Sequence, residues 1–178
     1  FFTLHAISVM LFDKSSFENV ISNGLVLDKD GNKMSKRLGN AIDPFEILNK
    51  YGADSTRWYM IANAQPWDNL KFNARGIEEV QRKFFGTLYN TYSFFALYAN
   101  IDGFKYAEQE IPIAQRTELD RWILSELNSL IKNVDENYEQ YEPTRVARLI
   151  QDFTADKLSN WHVRLSRRRF WKGEYNSD

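Results

Sequence analysis

The sequence GLVLDKDGNKMSKRLGN, which occupies residues 24–40, contains three successive signals of local structure. Val20 to Leu27 is rich in β-branched and aliphatic residues, which favours a strand. Asp30-Gly31 is a strong turn signal, because glycine tolerates the positive φ that tight turns require. The polar residues Lys33 to Arg37 are therefore predicted to form an exposed loop.

This loop carries the cationic side chains Lys33, Lys36 and Arg37. Positioned cations stabilise the negative charge that develops on phosphoryl oxygens, and a closing loop can deliver them when a substrate binds. The pattern therefore suits a polyphosphate ligand. Residue types alone also permit a solvated charged hairpin, which is the commoner state of exposed lysines after a turn. Both interpretations stay open at this point.

Helices are predicted on both sides of the loop. Phe1 to Phe12 is a nearly continuous apolar stretch, which indicates the end of a buried helix. Asp43-Pro44 has the pattern of an N-cap followed by proline at the first helical position, and the helix should stop near Gly52. A second short helix is expected from Ala53 to Ala62, before the break at residues 65–68.

From about Asn73 the pattern changes to long helices, each with one apolar stripe. The first ends before Asp102-Gly103, the second begins after the cap residue Thr117, and the third opens at Glu142-Pro143. The stripe residues are Ile77, Val80, Phe84, Leu88, Tyr92 and Phe95, then Leu119, Ile123, Leu127, Leu130, Val134 and Tyr138, then Val146, Ile150, Phe153, Leu158 and Trp161. Helices with one stripe each must bury it against one another, so we expect an antiparallel bundle.

Composition limits the kinds of site that the chain can hold. The 178 residues are 43% hydrophobic and carry a formal net charge of -1, so only the local distribution of charge can indicate a nucleic-acid binder. The absence of cysteine excludes disulfides and thiolate metal ligands, and His5 and His162 lie far apart, so we predict no metal site. No signal peptide or membrane span is predicted.

The order of strand, turn and loop resembles the KMSKS signature loop of class I aminoacyl-tRNA synthetases. The matching residues are Gly24-Leu25-Val26-Leu27, Lys33-Met34-Ser35-Lys36-Arg37 and Leu38-Gly39-Asn40, followed downstream by Pro44, Gly52-Ala53-Asp54 and Arg57-Trp58-Tyr59. In this family the downstream segment leads through a small stem-contact unit into an anticodon-binding bundle. Arg37 departs from the serine of the general signature, adds charge, and looks like the variant of isoleucyl members.

The resemblance implies an enzyme that activates isoleucine with ATP and Mg²⁺ and transfers it to tRNA(Ile). Lys33 and Lys36 would be the catalytic side chains, with Lys36 as the main ligand of the ATP phosphates. Arg37 would add electrostatic support, while Met34 and Ser35 would shape the ATP-binding loop. A cytoplasmic monomer without a membrane partner is expected.

The chain begins without Met inside a predicted helix, so we expect an internal fragment of a longer protein. The family's other signature, His-Ile-Gly-His, does not occur in these residues. The fragment by itself is therefore expected to be inactive and to hold no cofactor.

The amino acid that the parent enzyme charges has to be inferred from outside the signature. Residues 159–164 (SNWHVR) and 167–171 (RRRFW) resemble the corresponding helix of isoleucyl members, although His162 replaces the expected tyrosine. Valyl members are the nearest alternative, and leucyl and methionyl members fit less well. Two other classes also stay open, a non-enzymatic helical RNA-binding module and a purely structural interaction domain.

A second basic region lies near the end of the chain. Its cations are Arg164, Arg167, Arg168, Arg169 and Lys172. The arginines are expected to contact tRNA phosphates, although cations at a helix end can also simply complement the helix dipole. For the interleaved aromatic residues, and Trp161 especially, we expect packing within the bundle. Packing is also expected for Tyr89, Tyr92, Phe94, Phe95 and Tyr98 of the first long helix.

Together these patterns predict a mainly α chain with a short α/β remnant of a class I catalytic domain. Residues 1–42 are assigned to the end of the nucleotide-binding catalytic domain with its β-turn loop. Residues 43–72 are assigned to stem-contact helices, and residues 73–178 to part of the anticodon-binding antiparallel bundle.

Overall fold

The structure is a computed structural model that describes residues 1–107 and 109–171. Its helices are α1 (Phe2–Phe12), α2 (Pro44–Tyr51), α3 (Ala53–Asn63), α4 (Ala74–Val80), α5 (Gly86–Ile101), α6 (Glu118–Glu139), α7 (Pro143–Asp152) and α8 (Arg164–Trp171). π-Helical turns over Gln81–Phe85 and Phe153–Val163 join α4 to α5 and α7 to α8, and short 3₁₀ turns cover Lys36–Leu38 and Ile113–Gln115. The strands are β1 (Val26–Leu27) and β2 (Leu70–Lys71). The prediction of a mainly α chain is confirmed.

The predicted strand from Val20 to Leu27 is wrong in length, because only Val26–Leu27 is a strand. It pairs in parallel with Leu70–Lys71. A strand is defined by backbone hydrogen bonds to a neighbour, and β2 supplies only two residues for pairing. β-Branched content favoured an extended chain but could not supply the missing partner.

Helix α1 forms where it was predicted, but its predicted burial is wrong for this chain. None of its residues is buried, and the side chains of Phe2 and Met10 are each 84% exposed. The helix is apolar around its whole circumference, so burial would require neighbours on all sides. One ring that does contact the helix is that of Phe17, whose centre lies 5.7 Å from the centre of the His5 ring.

A small core joins α2, α3, β2 and α4. Its buried members are Tyr51, Tyr59, Leu70, Phe72 and Ile77. The hydroxyl of Tyr59 donates to the carbonyl of Lys71 at 3.1 Å and accepts from the amide of Asn73 at 3.0 Å. Gly76 permits this packing, because a Cβ there would lie only 2.3 Å from the Tyr59 ring. The end of β2 is thereby held against α3.

Two predicted helix starts, at Asp43 and Thr117, are confirmed by their caps. The carboxylate of Asp43 accepts from the amide of Phe45 at 2.9 Å, and Pro44 opens α2. The hydroxyl of Thr117 accepts from the amide of Asp120 at 3.3 Å at the start of α6. These contacts lie within three residues in sequence, which explains why sequence patterns find them.

The predicted apolar stripes are buried only in part. Ile77, Phe84, Ile123 and Val146 are buried. Packing was wrongly predicted for Trp161, Tyr89 and Tyr92, whose exposed fractions are 60%, 69% and 65%. Phe95 is 45% exposed, but its ring lies 6.0 Å from that of Phe104. Phe94 and Tyr98 do pack, because both rings contact Phe170 of α8. Helical spacing identifies a face, but the number of neighbouring helices decides how much of that face is covered.

Helix α7 is bonded directly to the end of α3. The hydroxyl of Thr144 donates to the carbonyl of Ala64 at 2.9 Å, and Nε of Arg148 donates to the carbonyl of Ala62, also at 2.9 Å. The last carbonyls of a helix have no partner inside the helix, so these side chains supply the donors. The helices after Asn73 are thereby tied to the part of the chain that holds the loop.

Candidate functional site

The loop begins at a turn that the carboxylate of Asp28 organises. One carboxylate oxygen, Oδ1, accepts from the amides of Asp30 at 3.0 Å and Asn32 at 2.8 Å. Gly31 adopts a φ of 91°, and its amide donates to the carbonyl of Asp28 at 3.0 Å. The predicted turn is therefore confirmed, and Leu27 forms an antiparallel bridge with Lys33 across it. Asp28 acts here as an anchor that sequence analysis did not identify.

Asn40 links the far end of the loop to this turn. Its amide nitrogen Nδ2 donates to Oδ2 of Asp28 at 2.9 Å and to the carbonyl of Lys33 at 3.3 Å. Its amide oxygen accepts from the backbone amide of Ser35 at 2.8 Å. The hydrogen bond from Asn40 lowers the pKa of the Asp28 carboxyl below its ordinary value, with help from the turn amides.

Residues 35–39 form a tight turn between these anchors. The hydroxyl of Ser35 accepts from the amide of Arg37 at 3.2 Å and so caps the 3₁₀ turn. Gly39, with a φ of 69°, closes the turn by donating to the carbonyl of Lys36 at 3.2 Å. Met34 is half-buried and packs against the small core. The loop backbone is thus fixed by hydrogen bonds at both ends, and the side chain of Met34 attaches it to the core.

The cationic side chains of this loop point into solvent. Lys33, Lys36 and Arg37 are exposed, and none of them forms an ion pair with another described residue. A fixed backbone that presents unpaired cations over a short stretch concentrates positive potential. It can receive an anion without first breaking an internal salt bridge.

The sequence pattern indicates the cations of the loop, but the residues that hold the loop were not predicted from it. Asp28 follows β1 directly, and Asn40 follows Gly39. Aspartate and asparagine commonly bond nearby backbone amides in turns, so their positions at both ends of the polar run were a usable signal.

The arginines of the second basic region differ in what they contact. Nη1 of Arg169 donates to both carboxylate oxygens of Asp120, at 2.8 and 2.9 Å. The guanidinium of Arg167 lies 5.9 Å from the centre of the Phe94 ring. Arg164 and Arg168 are exposed, and no ion pair within the described chain involves them. Lys172 lies outside the described residues.

Asp120 is the centre of a polar contact between α6 and the α7–α8 helix. Besides Arg169, its carboxylate contacts the Thr117 hydroxyl at 2.6 Å and Nε2 of His162 at 3.1 Å. Partial burial by itself would raise the pKa of Asp120, but the hydrogen bonds of Arg169, Thr117 and His162 lower it to about 2. Sequence analysis did not predict this contact, because its members lie 42 to 49 residues apart.

Neither a metal cluster nor a bilayer-spanning helix occurs in the described residues. Within 1–107 and 109–171, no group of three or more His, Cys, Asp or Glu side chains is arranged to hold a metal ion. Across the same ranges, no helix is both long and apolar enough to cross a membrane.

Comparison with known protein families gives matches to two parts of the chain. The family described as tRNA synthetases class I (I, L, M and V) matches residues 1–73. The family described as anticodon-binding domain of tRNA ligase matches residues 120–178.

Curated relatives match the entire chain. The isoleucine--tRNA ligase of Cytophaga hutchinsonii is 72% identical, and that of Bacteroides thetaiotaomicron is 68% identical, each over all 178 residues. The isoleucine--tRNA ligase of Dehalococcoides mccartyi is 50% identical over a 182-residue alignment. The chain spans only 16%, 15% and 17% of the lengths of these proteins, respectively.

A solved structure shares the fold at low sequence identity. The LeuRS of Agrobacterium radiobacter, crystallised in a ternary complex with tRNA and LeuAMS, aligns with a TM-score of 0.64 and 21% identity. The alignment covers 95% of this chain and 22% of that chain.

Proposed function

Since residues 1–73 match the class I tRNA synthetase family and isoleucine--tRNA ligases match the whole chain, we propose that the chain is a segment of such a ligase and supplies its ATP-binding loop. The observation that carries the proposal is the loop itself, in which a fixed backbone presents the exposed cations Lys33, Lys36 and Arg37, which form no ion pair with a described residue. Relatives named isoleucine--tRNA ligase that match the whole chain favour isoleucine over valine as the amino acid.

In the proposed reaction a carboxylate oxygen of isoleucine attacks the α-phosphorus of ATP, and pyrophosphate leaves as the aminoacyl-adenylate forms. Negative charge grows on the phosphate oxygens during this displacement. Lys36 stabilises that charge as the main phosphate ligand, and Lys33 and Arg37 support it. Ser35 and Met34 hold the loop backbone through the 3₁₀ cap and the core contact. The aminoacyl group is then transferred to the 3′ end of tRNA(Ile).

Mg²⁺ is expected to accompany ATP as part of the substrate in the parent enzyme. The described residues group no three candidate metal ligands, so they do not fit a resident ion. No step proposed for these residues depends on the metal.

The remaining helices are proposed to bind tRNA as an antiparallel bundle. In this proposal residues 1–42 end the catalytic domain, residues 43–72 form stem-contact helices, and residues 73–178 belong to the anticodon-binding domain. Support comes from the bonds of Thr144 and Arg148 to the end of α3, which orient the bundle relative to the loop. Of the arginines that the sequence assigned to tRNA (Arg164, Arg167, Arg168 and Arg169), the exposed Arg164 and Arg168 are the proposed phosphate contacts, because Arg169 is held by Asp120 and Arg167 lies over Phe94. The parent enzyme is proposed to be a cytoplasmic monomer.

The test is Lys36→Ala in the full-length ligase, assayed by isoleucine-dependent ATP–pyrophosphate exchange. Loss of one preorganised charge-stabilising donor should slow exchange about 100- to 1000-fold, while isoleucine binding is unchanged. Lys29→Ala is the matched control, because Lys29 is an exposed cation of the neighbouring turn and should leave exchange unchanged.

An unchanged rate for Lys36→Ala would remove the loop from the mechanism and favour a helical RNA-binding module or a structural domain instead. The 178-residue chain alone, prepared free of host synthetase, should show no exchange.

A further inference from the structure

We infer that Asp28 and Asn40 form a positioning pair that holds the loop so that Lys36 is presented to the ATP phosphates. This inference rests on the proposed function, and it assigns a role to residues outside the Lys33–Arg37 sequence. Neither side chain needs to touch ATP. Both act through the backbone that carries Lys36.

The pair is needed because the loop has few other constraints. The antiparallel bridge of the turn ends at Lys33, and among the side chains of residues 33–37 only Met34 packs against the core. Like charges on Lys33, Lys36 and Arg37 repel one another and favour a more open chain. An ordered catalytic cation therefore requires an additional restraint on the backbone.

Asn40 supplies that restraint with both ends of its amide. Its oxygen accepts from the Ser35 amide directly before Lys36, at 2.8 Å. Its nitrogen donates to the Lys33 carbonyl at 3.3 Å and to Asp28 at 2.9 Å. The other carboxylate oxygen of Asp28, Oδ1, is occupied by the turn amides. If the amide of Asn40 rotated by half a turn, its oxygen would face the acceptors Asp28 and Lys33 and its nitrogen would face the Ser35 amide, so its three bonds would be lost. One side chain thereby bonds the backbone on both sides of Met34.

The chemistry of the pair predicts an unusual pattern of substitution effects. Asp28→Asn would place two amide nitrogens against each other, and Asn40→Asp would place two carboxylates against each other. The exchanged pair, Asp28→Asn with Asn40→Asp, restores a donor facing an acceptor, and the carboxylate introduced at position 40 can still accept from Ser35. Only the bond to the Lys33 carbonyl stays lost.

The experiment measures ATP–pyrophosphate exchange by the full-length ligase carrying Asp28→Asn, Asn40→Asp or both. Each single substitution should lower kcat about 10- to 100-fold, with an unchanged KM for isoleucine and an unchanged melting temperature. The double substitution should recover at least about tenfold of the lost rate. A general structural role would instead lower the melting temperature and would give additive losses.

Trypsin cleavage of the full-length ligase after Lys33, Lys36 or Arg37 provides a second readout that does not depend on activity. Cleavage should be faster in each single variant than in the wild type and slower again in the double variant. If the single variants exchange and resist trypsin like the wild type, or if the double variant is no better than the singles, the pairing is overturned. Failure of the proposed function is a separate result, because in that case Lys36→Ala would also keep full activity. If only the pairing is wrong, Lys36→Ala still loses activity.

Discussion

The two basic regions of the chain look alike in sequence and differ in what their cations contact. In the loop, Lys33, Lys36 and Arg37 are all exposed and without an ion pair among the described residues. In α8, Arg169 is bonded to Asp120 and Arg167 lies over Phe94. The number of cations in a segment therefore overstates how many can receive an external phosphate.

Neighbouring elements explain the difference. Helix α8 lies beside the start of α6, where Glu118 and Asp120 occupy the first turn. Acidic residues are favoured at that position by the helix dipole, and they attract a nearby arginine. At the loop, the carboxylate of Asp28 is already bonded to backbone amides and Asn40. The loop cations are thus left for a ligand.

The largest effect that would separate these regions is on stability. Arg169→Gln should lower the free energy of unfolding of the 178-residue chain by about 1.5–3 kcal/mol, because hydrogen bonds to a charged carboxylate are lost. Arg168→Gln is the matched control and should change it by less than about 0.5 kcal/mol. Urea unfolding followed by circular dichroism measures both. Equal losses would mean that the Asp120 contact does not distinguish the arginines.

A smaller effect should appear in the pH dependence of stability. The pKa of Asp120 is lowered to about 2 from 3.8, so its contribution is complete above about pH 5 and is lost progressively as the pH falls through 2. The loss should reach at most about 2.5 kcal/mol. Asp120→Asn should remove this part of the acid sensitivity, whereas Asp156→Asn, at an exposed position, should preserve it. The midpoint of urea unfolding should be measured against pH for the wild type and for both variants. If the Asp120 contact contributes nothing, the midpoint will fall with pH by the same amount in all three proteins.

The smallest effect expected is on tRNA affinity. If Arg164 and Arg168 contact phosphates, their combined replacement by glutamine in the full-length ligase should weaken tRNA binding several-fold without changing ATP affinity. The slope of log affinity against log salt should flatten by about one to two units, because each phosphate contact on a duplex contributes roughly 0.9 to that slope. Arg169→Gln should leave the slope unchanged, because its guanidinium is held by Asp120. A slope unaffected by the double replacement would move the tRNA surface away from α8.

Much of the loop was predictable because its signals are local. The turn at Asp30-Gly31 and the cations up to Arg37 lie within one short stretch of chain. The roles of Asp28 and Asn40 were harder to predict, because their bond joins positions twelve residues apart across the turn. The contact of His162 with Asp120 was beyond sequence patterns, since it exists only where two helices pack.

The amino-acid sequence by itself determined the helix starts at Asp43 and Thr117, the turn before the loop and the mainly α character of the chain. These features depend on interactions between residues a few positions apart. Tertiary structure alone decided that β1 contains only Val26–Leu27 and that Trp161 is 60% exposed. It also decided that Arg169 is paired with Asp120, whereas no ion pair among the described residues involves Arg168. Strand length, burial and ion pairing depend on which distant groups come within contact distance, and local sequence does not specify those distances.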